Sequence, residues 1–145
     1  MRVLWVHISN RSHSHMNPVF WFEIPADDNA KVAAFYEKAF GWKLFPLGEK
    51  GGGYTVVHTS ETGDDGMPKE GNRINGGIFS IKDGSQPHLP NIVIATSDIS
   101  AGVRAIKAAG GTVLGEPYEI PGYGTYVPFL DPEGTRSALM QPKMP

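Results

Sequence analysis

The sequence predicts a single α+β domain built from two βαβββ modules, at residues 17–81 and 90–141. The main observation is an internal repeat, because a shift of 70 positions places residues 20–44 over residues 90–114 without a gap. Glycine and proline are also frequent, at 18 and 12 of 145 residues, which is typical of many turns between short strands. One domain accounts for a chain of this length, since it buries roughly two thirds of its unfolded surface.

The first module begins with a strand in NPVFWFEIPADD, residues 17–28, which leads into a helix. Asp28 is suited to cap that helix, because its carboxylate can accept the unpaired amide hydrogens of the first turn. Gly41 ends the helix, since glycine takes the left-handed conformation at little cost. The residues between them recur at helical spacing and predict an apolar stripe that is buried against a sheet. This stripe consists of Val32, Phe35, Tyr36, Ala39 and Phe40.

The second module repeats the same arrangement with different side chains. Asp98 takes the capping position, and Gly110 with Gly111 ends the helix. The predicted apolar stripe is Ile99, Val103 and Ile106.

Three strand-like runs follow each helix. In the first module they are WKLFPLG, GGYTVVHTS and INGGIFSI, with the polar loop ETGDDGMPKEGNR before the last run. In the second module they are GTVLGEPYEIP, GYGTYVPFLDP and TRSALM. DPEG, residues 131–134, predicts a tight turn before the last strand, and residues 80–90 are interpreted as a linker.

The composition excludes several classes of function. A formal charge of −2 gives no basic field for a phosphate backbone, so we expect no nucleic-acid partner. No apolar run is long enough to cross a bilayer, so no membrane association is expected. The absence of cysteine fits a reducing compartment, and the cytoplasm is the expected location. Residues 1–16 do not resemble the rest of the chain and are interpreted as an N-terminal extension or tail.

The doubled βαβββ pattern, FYEKAFGW at 35–42, the glycines at 110 and 111, and DPEG resemble the vicinal oxygen chelate superfamily. This family includes glyoxalases, bleomycin resistance proteins and extradiol dioxygenases, and the likeness covers residues 17–141. The run IPGYGTYVPFLDPEG is most similar to the single-domain branch related to lactoylglutathione lyase. The resemblance implies a glyoxalase-like incomplete barrel whose concave sheet faces line a cavity.

The resemblance also implies where a metal would be held, on the first and last strands of each module. Carried over to this sequence, the ligand positions are Trp21, Gly77, Asn91 and Ala138, and none is a normal metal ligand. We therefore expect no metal at these positions and no cofactor, with a divalent metal elsewhere as the alternative. The flat apolar surface of Trp21 suits a planar or apolar ligand, although filling a vestigial site as core is an equal interpretation.

Strand alternation predicts which polar groups share the cavity side with Trp21. Glu23 and Arg136 are the main candidates: a desolvated carboxylate can act as a general base, and a guanidinium can hold an anionic substrate or the carboxylate itself. A salt bridge near solvent is the simpler alternative. Asn91 is a further candidate ligand contact.

Four other residues complete the candidate site. His58 ends the third strand and is a candidate acid or base, with a hydrogen-bonded histidine at the rim as the alternative. Tyr54, Tyr123 and Tyr126 bring hydroxyls to strand segments near the predicted mouth, although aromatic residues in strands are mostly packing.

The leading hypothesis is a glyoxalase-like or bleomycin-resistance-like protein that binds a small molecule without the usual metal. The alternative is a metal-dependent lyase, isomerase or dioxygenase with a displaced metal site that includes Glu23 and His58. A partner-binding accessory domain is the third hypothesis. Because members of this family often pair edge to edge, we expect a homodimer.

Overall fold

A computed structural model describes residues 16–81 and 88–143. Their contacts divide them into two compact units, of which the first spans residues 21–91 and the second combines 16–20 with 92–143. The N-terminal extension, except Met16, and residues 82–87 of the predicted linker lie outside the described residues.

The first unit follows the predicted βαβββ order. Its elements are β1 (Val19–Ala26), which begins before the unit boundary, α1 (Asn29–Phe40), β2 (Lys43–Pro46), a 3-10 helix (Glu49–Gly51), β3 (Thr55–His58) and β4 (Asn75–Ser80). The strand order is β2-β3-β4-β1. β1 and β4 are parallel, whereas the β2-β3 and β3-β4 pairs are antiparallel.

Both predicted caps of α1 are confirmed. The Asp28 carboxylate accepts a hydrogen bond from the Lys31 amide at 3.1 Å. Gly41 has a φ of 72°, and its amide donates to the Glu37 carbonyl. These two residues fix where the helix begins and ends, and hence how it lies on the sheet.

The predicted apolar stripe of α1 is wrong for three of its members, because Phe35, Ala39 and Phe40 are exposed. Phe35 and Phe40 are 57% and 61% exposed, and Val32 is the member of the stripe that packs on the core. The reason is Trp42, which follows the helix and itself packs on the core. Tyr36 stacks on Trp42 with ring centroids 4.8 Å apart, so the aromatic rings of α1 cover one another rather than the sheet.

The second unit contains one strand more than predicted. Its elements are β5 (Asn91–Ala95), whose first residue lies before the unit boundary, α2 (Ile99–Ala108), β6 (Thr112–Val113), β7 (Tyr118–Ile120), β8 (Gly124–Leu130) and β9 (Arg136–Pro142). The strand order is β5-β9-β8-β6, and β7 also pairs with β8. The single strand predicted at 111–121 is therefore wrong, because Gly115, with a φ of 88°, interrupts it.

The cap and the turn predicted in the second unit are confirmed. The Asp98 carboxylate accepts a hydrogen bond from the Ala101 amide at 3.1 Å, as Asp28 does in the first unit. In the DPEG turn, the Asp131 carboxylate accepts from the amides of Glu133 and Thr135, both at 2.9 Å. Within neither unit do the described strands close into a barrel.

Candidate functional site

Side chains of the first unit's sheet alternate between two faces. Phe22 and Ile24 of β1 lie on the face covered by α1, where they pack around Val57 and Ile78. Because successive strand residues point to opposite sides, Trp21 and Glu23 lie on the other face, as predicted. We call it the helix-distal face, and the strand registers give its members as Trp21, Glu23, Val56, His58, Asn75 and Gly77.

Three of the predicted site residues are joined by hydrogen bonds. The indole Nε1 of Trp21 donates to the Tyr54 hydroxyl at 2.9 Å. That hydroxyl donates to Oε2 of Glu23 at 3.2 Å. Glu23 is only 6% exposed, and burial of a carboxylate is costly unless hydrogen bonds offset it. The Trp21–Tyr54–Glu23 chain thus holds a buried acidic group and a tryptophan ring in fixed positions.

A glycine on β4 provides the space for this chain. A Cβ atom on Gly77 would lie 1.9 Å from the Tyr54 hydroxyl oxygen, so the phenol occupies the place of a side chain at 77. Gly76 leaves space for a second aromatic ring on the opposite face, where a Cβ would lie 2.7 Å from the ring of Phe22. Adjacent glycines therefore let an aromatic ring lie close to each side of β4.

The strand registers of the two units support the alignment of Gly77 with the family's fourth-strand position. Glu23 is the register partner of Gly77 in the first unit, and Val93 is the partner of Ala138 in the second. Glu23 and Val93 are 70 positions apart, as the internal repeat requires. Gly77 and Ala138 thus occupy equivalent places in their own sheets.

The residues that the resemblance places at the metal-ligand positions do not fit a divalent cation. The indole nitrogen of Trp21 has no lone pair to give and donates its hydrogen to Tyr54. Gly77 has no side chain, Ala138 offers a methyl group, and Asn91 supplies a single amide oxygen. Within residues 16–81 and 88–143, no cluster of three or more His, Asp or Glu side chains could hold a metal ion.

His58 lies at the edge of the helix-distal face. Its ring centroid is 4.6 Å from that of Phe45, and Lys43 is its register partner on β2. Burial lowers the pKa of His58 below its usual 6.5, and the positive charge of Lys43 lowers this pKa further. Two strand spacings, roughly 10 Å, separate its backbone from that of Trp21. A neutral imidazole at this edge is able to accept or donate a hydrogen bond.

Asn75 is a buried polar residue of the face that the sequence analysis missed. It is 1% exposed, its Oδ1 accepts from the Thr59 amide, and its Nδ2 donates to the Thr62 hydroxyl, both at 3.0 Å. Asn75 therefore fixes the start of the loop that leaves β3. Its position in the sequence could have identified it, because a polar side chain stands there next to two glycines in an otherwise apolar strand.

Arg136 begins β9 in the second unit. It alternates with the buried Ala138 and Met140, whereas Leu139 lies on the other face against Gly102 of α2. The Nε atom of Arg136 is buried and has no hydrogen-bond partner within the described residues. Such a guanidinium retains its capacity to bind an oxyanion.

The other predicted contacts differ in burial. Asn91 at the start of β5 and Tyr126 of β8 are buried, and the Tyr126 ring lies 5.5 Å from that of Tyr118. The placement of Tyr123 in a strand is wrong. It lies in the turn before β8, where its amide donates to the Ile120 carbonyl, because the chain reverses there between two paired strands.

Comparison with known families gives one match across most of the chain. Residues 18–139 match the profile described as Glyoxalase/Bleomycin resistance protein/Dioxygenase superfamily. No helix in the described part of the chain has the length and apolar character needed to span a membrane.

Curated relatives resemble the chain over most of its length. Anthracycline biosynthesis protein DauV of Streptomyces sp. (strain C5) is 28% identical over 132 residues, covering 82% of this chain and 45% of that protein. A probable chloroplastic lactoylglutathione lyase of Arabidopsis thaliana is 30% identical over 115 residues, covering 78% of this chain and 32% of that protein. The chain therefore spans less than half the length of these relatives.

Solved structures share the fold at low sequence identity. A methylmalonyl-CoA epimerase of Streptomyces coelicolor superposes with a TM-score of 0.67 at 16% identity, covering 90% of this chain and all of that one. A hypothetical protein from Bacillus halodurans C-125 gives 0.65 at 14% identity, covering 90% of this chain and 98% of that one. The predicted α+β, glyoxalase-like fold is confirmed by these likenesses.

Proposed function

The chain belongs to the glyoxalase/bleomycin resistance protein/dioxygenase superfamily, and from this premise we propose that it binds a small planar or apolar molecule on the helix-distal face. In this proposal no metal ion is held at the family's usual positions. The ring of Trp21 provides the contact surface, and Tyr54 and Glu23 provide the polar groups. Asn91, Tyr123, Tyr126 and Arg136 remain proposed ligand contacts, and His58 and Glu23 remain proposed acid-base groups.

The hydrogen-bond chain is the observation that supports this proposal most directly. Because the Trp21 indole is held by Tyr54, little conformational entropy is lost when a ligand stacks on it. The name of one relative supports the same proposal, since DauV is called an anthracycline biosynthesis protein and an anthracycline is a polycyclic aromatic compound. Capture of such a molecule, or its transformation without a metal, is the proposed activity.

Replacement of Trp21 tests this proposal. We expect Trp21→Ala to weaken binding of a planar probe such as 2-methoxynaphthalene by about 1 to 3 kcal/mol, because the stacking surface is lost. Titration calorimetry on the folded variant measures the change. Phe35→Ala is the matched control, since it removes an exposed aromatic ring from α1 and should leave affinity unchanged. Equal affinity of the wild-type and Trp21→Ala proteins for the probe would show that Trp21 has a structural role and does not bind the ligand.

The alternative of a metal-dependent lyase, isomerase or dioxygenase makes a different prediction about the metal content of the purified protein. Elemental analysis of protein purified without a histidine tag decides between the two. About one tightly held Ni, Zn, Mn or Fe ion per chain would overturn the metal-free proposal and leave the family assignment intact.

A further inference from the structure

The outer edge of the helix-distal face, on β2 and β3, carries a cation, an imidazole and an aromatic ring. Leu44 packs on the core, so its neighbours Lys43 and Phe45 point to the other side of β2. Lys43 is the register partner of His58, which places their Cβ atoms about 5 Å apart. Phe45 is diagonal to His58, and their ring centroids are 4.6 Å apart. We call Lys43, Phe45 and His58 the β2-edge cluster.

The positive charge of this cluster is not balanced by a carboxylate. Lys43 is exposed and forms no ion pair within residues 16–81 and 88–143. Asn75 flanks His58 on β4, but it is neutral and its amide already bonds to the loop after β3. Glu23, the carboxylate of this face, lies two strands away from His58 and accepts a hydrogen bond from Tyr54. An anion at the β2 edge would therefore meet a positive potential.

His58 supplies a hydrogen-bond donor to the same place. Among the residues that the structure describes, its ring contacts Phe45 and its nitrogens have no hydrogen-bond partner. The imidazole is neutral at pH 7, because burial and the charge of Lys43 lower its pKa below 6.5. A neutral imidazole has one N–H donor, and a protonated one has two. An anion beside His58 would accept this hydrogen bond and would favour the protonated form.

Phe45 adds an apolar surface to these polar groups. Its side chain is 44% exposed on the outermost strand of the sheet, so a ligand reaches it without displacing the core. Lys43 and Phe45 are two positions apart on this strand, a distance of roughly 7 Å. A benzene ring that packs on Phe45 thus brings a carboxylate attached to it within reach of Lys43 and His58.

We propose that the β2-edge cluster binds an aromatic carboxylate, with the ring on Phe45 and the carboxylate held by Lys43 and His58. This inference goes beyond the proposed function, because it concerns a separate subsite that needs no contribution from Trp21. The bound carboxylate stabilises the imidazolium form, so His58 takes up a proton on binding. Affinity should therefore increase as the pH decreases from 8 to 6, a range in which a carboxylic acid with a pKa of about 4 stays ionised.

A pair of matched probes tests the proposal by fluorine NMR titration. 4-Fluorobenzoate carries the carboxylate, whereas 4-fluorobenzamide has the same ring and no charge. We expect wild-type protein at pH 6.5 to bind 4-fluorobenzoate at least about fivefold more tightly, because an ion pair and a charged hydrogen bond are added. Lys43→Gln and His58→Leu should each reduce this ratio to about twofold or less. Lys38→Gln removes the same charge from an exposed position on α1 and should preserve it.

The pH dependence provides a second readout. His58→Gln keeps a hydrogen-bond donor but has no titrating ring, so its affinity for 4-fluorobenzoate should be the same at pH 8 and pH 6. Proton NMR of the wild-type histidine rings should show that 4-fluorobenzoate raises the pKa of His58 and that 4-fluorobenzamide does not.

The possible results separate this inference from the proposed function. Trp21→Ala should leave the affinity for 4-fluorobenzoate unchanged, and a loss as large as that of Lys43→Gln would overturn the separate subsite. Equal affinity of the wild-type protein for the two probes would overturn the proposal and leave the planar-ligand site untouched. A ratio that survives in both Lys43→Gln and His58→Leu would also overturn it, as would failure of 4-fluorobenzoate to bind.

Discussion

His58 is half-buried between Lys43 and Phe45, and its environment disfavours the charged imidazolium form. Burial lowers its pKa below 6.5 in the folded state, and Lys43 adds repulsion. The unfolded chain therefore binds the His58 proton more readily than the folded chain as the pH falls below 6.5. By linkage, the stability contributed by neutral His58 is present above this pH and is lost as pH decreases through the window below it.

His58→Gln should therefore flatten the decline of the unfolding free energy between pH 7 and pH 5. Urea denaturation at several pH values measures this difference between variant and wild type. His88→Gln is the control, because His88 is an exposed residue paired with Asp27 and its loss should leave the His58 contribution in place. An equally steep decline of the unfolding free energy in wild type and His58→Gln would contradict the attribution of this pH dependence to His58.

At the scale of single residues, the sequence predicted the face of the sheet on which a side chain lies better than it predicted contacts between side chains. The period of two in β1 placed Trp21 and Glu23 opposite Phe22 without any knowledge of the fold. The hydrogen bonds through Tyr54 were not predictable, since they join residues 33 and 31 positions apart. They depend on how far a phenol reaches over Gly77, which is a property of the folded sheet.

At the scale of elements, Gly76 and Gly77 of β4 lie against different aromatic residues, Phe22 and Tyr54. Gly77→Ala should destabilise the fold by about 1 to 3 kcal/mol, because the new Cβ overlaps the Tyr54 phenol. The same substitution should cost at least about 1 kcal/mol less in a Tyr54→Ala background, where the ring is absent. Tyr54→Phe should give no such relief, since the ring carbon Cζ would be 2.0 Å from the added Cβ.

Gly76→Ala provides the matched control for this cycle. Its Cβ would meet the backbone oxygen and ring of Phe22 on the other face, so removal of Tyr54 should leave its cost unchanged. Chemical denaturation of the single and double variants gives the coupling energies. Strict additivity of Gly77→Ala and Tyr54→Ala would show that the phenol does not occupy this space in solution.

Element boundaries were predictable where a local chemical rule decides them. Asp28, Asp98 and Gly41 cap helices as predicted, because capping requires only a side chain and the adjacent backbone. Two element-level predictions failed because the answer depends on packing or on backbone torsion. Phe35 and Phe40 are exposed since Trp42 covers the core, and Gly115 interrupts a strand that periodicity alone makes continuous.

At the scale of the whole molecule, the internal repeat was the most informative signal, since it predicted two modules with the same cap, helix and order of elements before any contact was known. The two registers agree with it, because Glu23 faces Gly77 as Val93 faces Ala138. Which ligand binds was not predictable to the same degree. A repeat reports the shared backbone, whereas ligand recognition depends on side chains, and these differ between the copies, as Glu23 and Val93 do.

The oligomeric state of the chain belongs to the scale of the whole molecule. The resemblance to the superfamily implies that two copies pair, since its members often pair edge to edge. We therefore expect a homodimer with twice the 15.7 kDa mass of one chain. Light scattering across a dilution series measures it, and a single-chain mass at every micromolar concentration would contradict the expectation.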